Sequence, residues 1–466
     1  MSSIRQASPL DLTGLFCELY DTLPEEPFLS GEVRTALADA DRRARVIARA
    51  ILDESFSVAK TARRLSKNGL PWTQQLDLVL GLDRAFADVH PFLAGFRALP
   101  PALSELRDRY LESGRLAAPG VPGEILPRLG APGAARLRLE GPADVLRFVV
   151  RVPPAALSDV ELLCASNVAA DGYSISRREL RVACAPMAES YDELIIASTG
   201  TKQAPAYRVG PDAGKLGQRV VTLLRRLDES GATIGVLPEA TLDDEVLAAW
   251  QDALSRTSAP SDSRLRWIVC GTGPVGKSGG PSPVNRAVVL DRDDPRDPVW
   301  VQDKRFRYTM EPPQLSEWHL DSRLGGRRTT EDIHLGKHTV IVESGFGRVA
   351  ITVCEDLARL TRLKPHLEAC GVSLVIAPVF SKEIRPHFWE DQAGKFYVGD
   401  GATVVVCNSR AVVTARGLKR EQDHEGQDLW GTSLARSPEC VQLGHSARPD
   451  DVVVLGFPFR IPTEPD

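Results

Sequence analysis

The sequence predicts a layered α/β domain over residues 178–460, preceded by a mainly helical domain over residues 1–115. Short apolar runs rich in β-branched residues recur from residue 180 onward, and amphipathic segments lie between some of them. This alternation is typical of sheets that are covered by helices. The first 115 residues lack strand signals and carry helical periodicity instead. With 466 residues, the chain has room for two or three domains.

In the N-terminal domain, amphipathic periodicity predicts helices at 41–52, 72–89 and 102–112. In the first of these, DRRARVIARAIL, the apolar residues share one face and the arginines lie opposite. Residues 57–76 faintly resemble a helix-turn-helix, although two packed helices with a basic solvent face are the favoured interpretation. Nucleic-acid binding is therefore not expected.

Residues 116–177 are predicted to form a linker and a short β-containing connecting region. The stretch 116–135 is rich in glycine and proline, which favours a loop. Residues 136–152 then contain two strand-like runs, LRLE and VLRFVVRV, around a turn-like GPAD. We expect this region to join the helical domain to the α/β domain.

In the α/β domain, strands are predicted at 180–187 and 234–238 and in the later runs RWIVCG, RAVVLD, VWVQDK, TVIVES, VAITVC, VSLVIAP and TVVVCNS. Helices are predicted at 215–229, 244–255, 357–370 and 387–398. The strands are short and the helices fall between some of them, which indicates sheets in layers.

Composition restricts the function classes. The net charge of −5 gives no overall attraction to nucleic acid or to an anionic membrane, and no apolar run is long enough to span a bilayer. The N-terminus lacks the apolar core of a secretion signal, so we expect a cytoplasmic protein. The eight cysteines form no C-x-x-C pair and are interpreted as reduced thiols. The histidines show no metal-ligand spacing, so they do not predict a metal site.

Three reactive residues follow predicted strands directly. Glu239 follows IGVLP, Lys304 follows VWVQD, and Cys354 ends VAITV just before the helix-like EDLARL. The ends of strands in α/β layers are where ligands and reactive groups usually lie. A cysteine at a strand-to-helix turn, near an ammonium group, is expected to favour the attacking thiolate. A nearby carboxylate can carry a proton between the thiol, the leaving amine and water.

This order of Glu, Lys and Cys, each at a strand end, resembles the nitrilase (carbon–nitrogen hydrolase) superfamily over residues 178–460. GATIGVLPEA, NRAVVLDRDDPRDPVWVQDKRF and GFGRVAITVCEDL resemble the segments around the family's three reactive residues. GVSLVIAPVFS, TVVVCNSR and WGTSLARSPE resemble its later strands and turns. The CEDL form is similar to the glutamine-hydrolysing part of NAD synthetases, which points to an amide substrate. The N-terminal region resembles no family known to us.

The resemblance implies a four-layer α-β-β-α sandwich, commonly paired into dimers, that uses no metal and no cofactor. It implies attack of Cys354 on an amide, carbamoyl or nitrile carbon, with the first two preferred, and hydrolysis of the resulting thioester. It also implies a second glutamate soon after the lysine, for which Glu311 fits and Glu317 is a less suitable substitute. The oxyanion would be held by Lys304 and by the backbone N–H of Glu355.

The chain differs from the family pattern around the expected pocket. Residues 188–210 insert a long segment after the first strand, and the charged stretch DSRLGGRRTTED (321–332) is longer than usual. Glu355 follows the nucleophile where many members carry an aromatic residue. Asp356 and Arg410 are interpreted as structural, the first as a charge at a helix N-terminus and the second as the partner of a buried carboxylate.

Two other functions stay open on the sequence. One is a binding or regulatory protein on the same fold that has lost activity, although all three reactive residues are present. The other is nucleotide binding, because GTGPVGKS (271–278) matches the phosphate-loop pattern. The GGPSPVN that follows cannot form the helix that a phosphate loop requires. The helical domain is expected to serve as an accessory or a docking module for a protein partner.

Overall fold

The computed structural model describes residues 11–89, 98–128, 141–165, 179–276, 282–345, 347–385, 389–400, 402–422, 424, 426, 428–437 and 440–458. Over these residues helices come first and sheets follow.

The helices are α1 (Leu12–Asp21), α2 (Glu26–Leu29), α3 (Glu32–Leu52), α4 (Val58–Asn68), α5 (Trp72–Phe86), α6 (Pro101–Ser113), α7 (Pro154–Leu157), α8 (Ala213–Leu216), α9 (Val220–Glu229), α10 (Asp244–Arg256), α11 (Pro312–Glu317), α12 (Asp321–Leu324), α13 (Glu355–Ala358), α14 (Leu360–Ala369), α15 (Asp391–Asp400) and α16 (Ala411–Ala415).

The strands are β1 (Glu124–Pro127), β2 (Val149–Val152), β3 (Val160–Cys164), β4 (Glu179–Cys184), β5 (Leu194–Gly200), β6 (Pro205–Pro211), β7 (Ile234–Val236), β8 (Trp267–Gly273), β9 (Arg286–Asp291), β10 (Trp300–Asp303), β11 (Thr309–Met310), β12 (Thr329–Glu331), β13 (Thr339–Ser344), β14 (Gly347–Ile351), β15 (Leu374–Val379), β16 (Thr403–Asn408), β17 (Ser433–Arg436), β18 (Val441–Gly444) and β19 (Val453–Pro458).

The N-terminal helices pack around α5. Helix α3 crosses it so closely that a side chain at Gly81 would meet Ile47. Leu76, Val79 and Leu82 of α5 are fully buried, which explains why this helix has apolar residues on most of its faces. The second helix of the segment that faintly resembles a helix-turn-helix is therefore part of the core, and this burial disfavours its entry into a nucleic-acid groove.

Two large sheets form the centre of the remaining chain. Sheet I has the strand order β10-β9-β8-β7-β4-β19, in which β4, β7 and β8 run parallel. Sheet II has the order β18-β17-β16-β15-β14-β13-β3, in which β14, β15 and β16 run parallel. The parallel strands of each sheet place their C-terminal ends along one edge, where a site can be assembled.

The two sheets pack face to face. In sheet I, Val236 and Val269 face sheet II, and the intervening Ile268 and Cys270 face helices α9 and α10. The thiol of Cys407 on β16 lies 3.3 Å from the carbonyl oxygen of Val236 on β7 and joins the two sheets. Helices α14 and α15 cover the other side of sheet II. The predicted four-layer α-β-β-α arrangement is thereby confirmed.

A smaller sheet, the cap sheet, has the order β11-β12-β6-β5. Strands β5 and β6 form an antiparallel hairpin, and β6 pairs in parallel with β12. The hairpin lies largely within the segment 188–210, and β12 lies in the charged stretch 321–332. The two segments in which the sequence departs from the family pattern therefore fold against each other.

The connecting region is more ordered than its composition indicates. Residues 116–135 were predicted as a loop, and this is wrong for β1, which pairs with β2 in an antiparallel hairpin. Strand β3 pairs in parallel with β13 and so extends sheet II. The LRLE run lies outside the described residues, and the boundary at residue 178 stays a prediction.

A buried ion cluster, the junction cluster, ties the N-terminal domain to sheet II. The hydroxyl of Tyr110 on α6 donates to Glu343 Oε2 at 2.5 Å, and Arg348 Nε donates to the same oxygen at 2.7 Å. The guanidinium of Arg348 also donates to the carbonyl oxygens of Cys370, at 2.6 Å, and Pro127. Charges removed from water need such partners.

Within the described residues, no helix combines the length and the apolar character needed to cross a bilayer. In the same residues, no group of three or more His, Cys, Asp or Glu side chains is arranged to hold a metal ion.

Candidate active site

The three reactive residues predicted from the sequence meet in one cavity between the sheets and the cap sheet. Glu239 comes soon after β7, Lys304 directly after β10, and Cys354 soon after β14. Each is at least nine-tenths buried, with exposed fractions of 5%, 1% and 7%. Because each follows a strand of a different hydrogen-bonded ladder, the fold brings together residues that are far apart along the chain.

Lys304 lies between two carboxylates. Its ammonium nitrogen is 2.8 Å from Glu239 Oε1 and 2.7 Å from Glu331 Oε2. The side-chain amide of Asn285 donates to Glu239 Oε1 at 2.8 Å and to Glu331 Oε1 at 3.0 Å. The oxygen of Asn285 accepts a hydrogen bond from Thr272. We call Glu239, Asn285, Lys304 and Glu331 the catalytic cluster.

The second glutamate of the site is Glu331 on β12. We predicted Glu311 for this position, and that placement is wrong. The carboxylate of Glu311 is 3.0 Å from Arg328, and its side chain is 56% exposed. Glu317, the weaker substitute, pairs with Arg416 and Lys382. The prediction failed because it counted residues from Lys304, whereas the position depends on the pairing of β12 with β6.

Backbone N–H groups donate further hydrogen bonds to the carboxylates of Glu239 and Glu331. The N–H of Phe380, just after β15, donates to Glu239 Oε2 at 3.0 Å. The N–H of Tyr308 donates to Glu331 Oε2 at 3.1 Å. The thiol of Cys354 lies 4.0 Å from the carbonyl oxygen of Phe380, at the limit of a hydrogen bond to sulfur. Every oxygen of the two glutamates therefore has a donor.

Two residues of the site have backbone angles that L-residues rarely adopt. Cys354 has φ 47° and Ala240, directly after Glu239, has φ 67°. Such strain persists where surrounding contacts enforce it, and the N–H of Cys354 is fixed by the carbonyl oxygen of Pro378 at 3.0 Å. The turn places the thiol at the start of α13, whose first residue is Glu355. The side chain of Glu355 pairs with Arg359.

The surroundings of Cys354 favour the thiol over the thiolate. Burial, followed by the charge of Glu239, raises the pKa of Cys354 well above its usual value, although Lys304 opposes this. The sequence-based expectation of a favoured thiolate is therefore wrong, because burial of the sulfur outweighs the effect of the nearby ammonium. Burial alone lowers the pKa of Lys304, but Glu239 and Glu331 outweigh it and raise that pKa. Lys304 consequently stays an ammonium.

Asp356 ties the nucleophile turn to the lysine segment. Its carboxylate accepts hydrogen bonds from the N–H groups of Arg305 and Phe306 at distances between 2.9 and 3.2 Å. It also accepts one from Val353 at 3.3 Å. Burial raises the pKa of Asp356 to about 7 despite these donors. The residue predicted as a helix N-terminal charge thus connects the two strand ends of the site.

The cavity is small and partly aromatic. The cavity has a volume of about 20 Å³, which is room for about one water molecule. Apart from the catalytic cluster and Cys354, its walls are formed by Tyr207, Val209, Ala240, Tyr308, Met310 and Phe380.

The glycines of the phosphate-loop pattern have a structural explanation. A side chain at Gly271 would meet Thr241 and the carbonyl oxygen of Pro238, and one at Gly273 would meet the carbonyl oxygen of Leu242. These glycines let β8 approach the turn that carries Glu239. Lys277 and Ser278 lie outside the described residues.

Arg410 was predicted as the partner of a buried carboxylate, and it donates to Glu189 Oε2 at 2.8 Å. The side chain of Glu189 is 31% exposed. The partner is therefore only partly buried.

The sequence matches no protein-family model and no curated protein. Among solved structures, the chain is similar to Nit3 of Saccharomyces cerevisiae, a member of branch 10 of the nitrilase superfamily. The two are 12% identical with a TM-score of 0.38, and the match covers 61% of this chain and 91% of Nit3. A variant of the Nesterenkonia AN1 amidase, from the nitrilase superfamily, has 13% identity, TM-score 0.39, and coverage of 61% and 93%.

The glutamine-dependent NAD⁺ synthetase of Acinetobacter baumannii has 13% identity and TM-score 0.38, and the match covers 62% of this chain and 48% of the synthetase. Two of these three proteins are named as members of the family that the sequence resembles. The fold and chemistry of this chain rest on the elements and contacts described above.

Proposed function

We propose that this protein is a thiol hydrolase that cleaves a non-peptide carbon–nitrogen bond, with Cys354 as nucleophile. The observation that carries the proposal is the bridge made by Lys304 between Glu239 and Glu331 beside a buried cysteine. The site supplies one nucleophile, one proton carrier and one fixed cation, which is what acyl transfer from an amide requires.

In the first half-reaction, Glu239 accepts the thiol proton as Cys354 Sγ attacks the carbonyl carbon. The carbonyl oxygen becomes an oxyanion, which Lys304 and the backbone N–H of Glu355 stabilise. The oxyanion then collapses, the carbon–nitrogen bond breaks, and Glu239 returns the proton to the departing amine. The product of this half-reaction is a thioester on Cys354 and a free amine or ammonia.

In the second half-reaction, Glu239 takes a proton from water while the water oxygen attacks the thioester carbon. Collapse of the second oxyanion breaks the carbon–sulfur bond, and the proton returns to the Cys354 sulfur. The sum is amide plus water giving carboxylic acid plus amine. A buried thiol suits this scheme because proton transfer to Glu239 is coupled to attack.

The substrate class is a small amide or carbamoyl compound. The cavity as it stands accepts about one water molecule, so a substrate fills it closely or widens it. An amide is preferred over a nitrile because the CEDL segment around Cys354 is similar to the glutamine-hydrolysing part of NAD synthetases.

The test is turnover of a panel of amides, carbamoyl compounds and nitriles by Cys354→Ala and Cys354→Ser variants. Both are expected to lose turnover by at least about 10³-fold while staying folded, since the substitutions are small. Mass spectrometry of the native enzyme stopped during turnover is expected to show an acyl group on the peptide that contains Cys354. Cys440→Ser is the matched control, because Cys440 lies outside the cavity and is partly exposed.

Full activity of Cys354→Ala would refute the proposal. A wild-type chain that neither turns over any compound of the panel nor labels selectively at Cys354 would identify the alternative, a binding protein on this fold. The cytoplasmic location, the dimer and a protein partner for residues 1–115 stay predictions from the sequence. Size-exclusion chromatography with light scattering tests the dimer.

A further inference from the structure

The cap sheet covers the cavity with one of its faces. In the β6–β12 ladder, Tyr207 is paired with Glu331. Neighbouring residues of a ladder place their side chains on the same face, and Glu331 reaches Lys304. Tyr207 therefore points into the cavity beside the catalytic cluster, and Val209, two residues further, points the same way.

The opposite face of β6 points away from the site. Arg208, between the two cavity residues, pairs with Asp332 and is 43% exposed. Ile195 on β5, whose ladder partner is Gly210, is 61% exposed. The hairpin thus separates an outer face in solvent from an inner face that lines the cavity.

The Tyr207 hydroxyl is the unengaged polar group of the cavity. The residue is only 4% exposed, and its hydroxyl makes no hydrogen bond to any other residue in the part of the chain that the structure describes. Lys304 and Asn285 of the catalytic cluster each contact both glutamates, and the Tyr308 hydroxyl contacts Gln314. Because Tyr207 lines the cavity, its hydroxyl can donate a hydrogen bond to a ligand that is bound there.

The charges of the catalytic cluster restrict that ligand. Two carboxylates and one ammonium carry a net charge of about −1 when all are ionised. An uncharged substrate group fits beside Tyr207, whereas a carboxylate on the substrate would be repelled by this net negative charge.

We propose that the β5–β6 hairpin is the specificity element of this enzyme. The Tyr207 hydroxyl donates a hydrogen bond to the bound substrate, and Val209 limits the length of an uncharged acyl group. This proposal rests on the proposed hydrolase function and narrows its substrate to short, uncharged amides. It assigns a role to a segment of the chain that departs from the family pattern.

One test measures kcat and KM for acetamide, propionamide, butyramide and the anionic succinamic acid. Tyr207→Phe is expected to raise KM about 3- to 10-fold with little change in kcat, because the variant loses one hydrogen bond to the bound substrate. Val209→Ala is expected to shift the preference toward longer amides, and Val209→Leu toward shorter ones. Succinamic acid is expected to be the poorest substrate for every variant.

The second test does not depend on turnover. Cys354 is alkylated with neutral iodoacetamide, anionic iodoacetate and the bulkier 2-bromobutyramide. Each alkylation rate constant is divided by the rate constant of the same reagent with free cysteine. The neutral small reagent is expected to react at least about 10-fold faster than the anion, since the net negative charge of the catalytic cluster repels a carboxylate. Val209→Ala is expected to accelerate the bulkier reagent selectively.

The control is Ile195→Ala on the outer face, which is expected to behave as wild type in both tests. Turnover that is identical in the Tyr207, Val209 and Ile195 variants would overturn the hairpin proposal while leaving the hydrolase intact. Absence of all turnover, together with alkylation rates that still follow charge and Val209, would overturn the hydrolase and leave the hairpin as a ligand-selecting element. Equal alkylation by neutral and anionic reagents would overturn the charge argument.

Discussion

Two buried ion clusters lie at opposite ends of β14. The junction cluster joins Tyr110, Glu343 and Arg348 at its first residues, and the catalytic cluster lies beyond its last. Both combine carboxylate, cation and neutral donor, and the residues of both are at least nine-tenths buried. The junction cluster joins two regions of the chain, whereas the catalytic cluster borders a cavity that holds a thiol. Burial of charge alone therefore does not identify a site.

The two clusters also differ in their charge balance. In the junction cluster one carboxylate pairs with one guanidinium. Burial alone lowers the pKa of Arg348, but the charge of Glu343 outweighs it and raises that pKa above its usual value. In the catalytic cluster two carboxylates share one ammonium. In the proposed mechanism, Glu239 can accept a proton while Lys304 stays paired with the second carboxylate, Glu331.

The largest expected difference comes from removing the cation of each cluster. Lys304→Met is expected to lower kcat/KM by at least about 10³-fold, because the oxyanion loses its charged partner. Arg348→Met is expected to leave kcat/KM of the folded enzyme within about 2-fold of wild type. It should lower the free energy of unfolding by roughly 3–5 kcal/mol, since Glu343 would be left buried without its cation. Kinetics and urea unfolding check both, and comparable kinetic losses would break the comparison.

A second pair of variants separates a carboxylate inside the cavity from one outside. Glu331→Gln is expected to reduce kcat/KM about 100-fold, because it removes a charge that holds Lys304 in place. Glu311→Gln is expected to have no measurable effect on kcat/KM, since that side chain is exposed and pairs with Arg328. If the two effects were reversed, the assignment of Glu331 would be wrong.

The neutral donors of the clusters give a smaller contrast. Asn285→Ala is expected to lower kcat/KM about 10- to 100-fold, because Glu239 and Glu331 each lose a donor. Tyr110→Phe is expected to leave kcat/KM within about 2-fold of wild type and to cost about 1–2 kcal/mol of unfolding free energy. An unchanged kcat/KM in Asn285→Ala would reduce this residue to a packing role.

The remaining effect concerns stability and not kinetics, and it depends on pH. The folded pKa of Asp356 is about 7 against a usual 3.8, so the folded state favours the protonated carboxyl. The stabilisation is complete below about pH 4 and is lost as the pH rises through about 7, by at most roughly 4 kcal/mol. The unfolding free energy of wild type relative to Asp356→Asn is expected to fall across this range. A constant difference between the two proteins would contradict the raised pKa.

The sequence identified the residues whose position depends on one strand each. Glu239, Lys304 and Cys354 follow apolar runs that are visible along the chain, and the ladders then bring the strand ends together. Glu331 and Tyr207 were missed because their positions depend on the pairing of β6 with β12, which joins segments more than a hundred residues apart. Such register is set by packing and leaves no local signal.

Asn285 was within reach of sequence analysis, because it stands in the stretch NRAVVLD that resembles the family. Its role could not be predicted, since its contacts with both glutamates require three segments to meet. The state of Cys354 was wrongly predicted for a different reason. The burial of its sulfur and its proximity to Glu239 depend on the packing of the fold, which the local sequence does not show.

The parallel pairing of β3 with β13 means that the catalytic unit is not a portable module. A chain cut at residue 178 would lack β3 and would leave one edge of sheet II unpaired. Bare strand edges recruit strands from other molecules, so such a fragment is expected to aggregate. Any transplanted or fused version has to bring the upstream residues along, as a structural part of the sheet that supports its nucleophile.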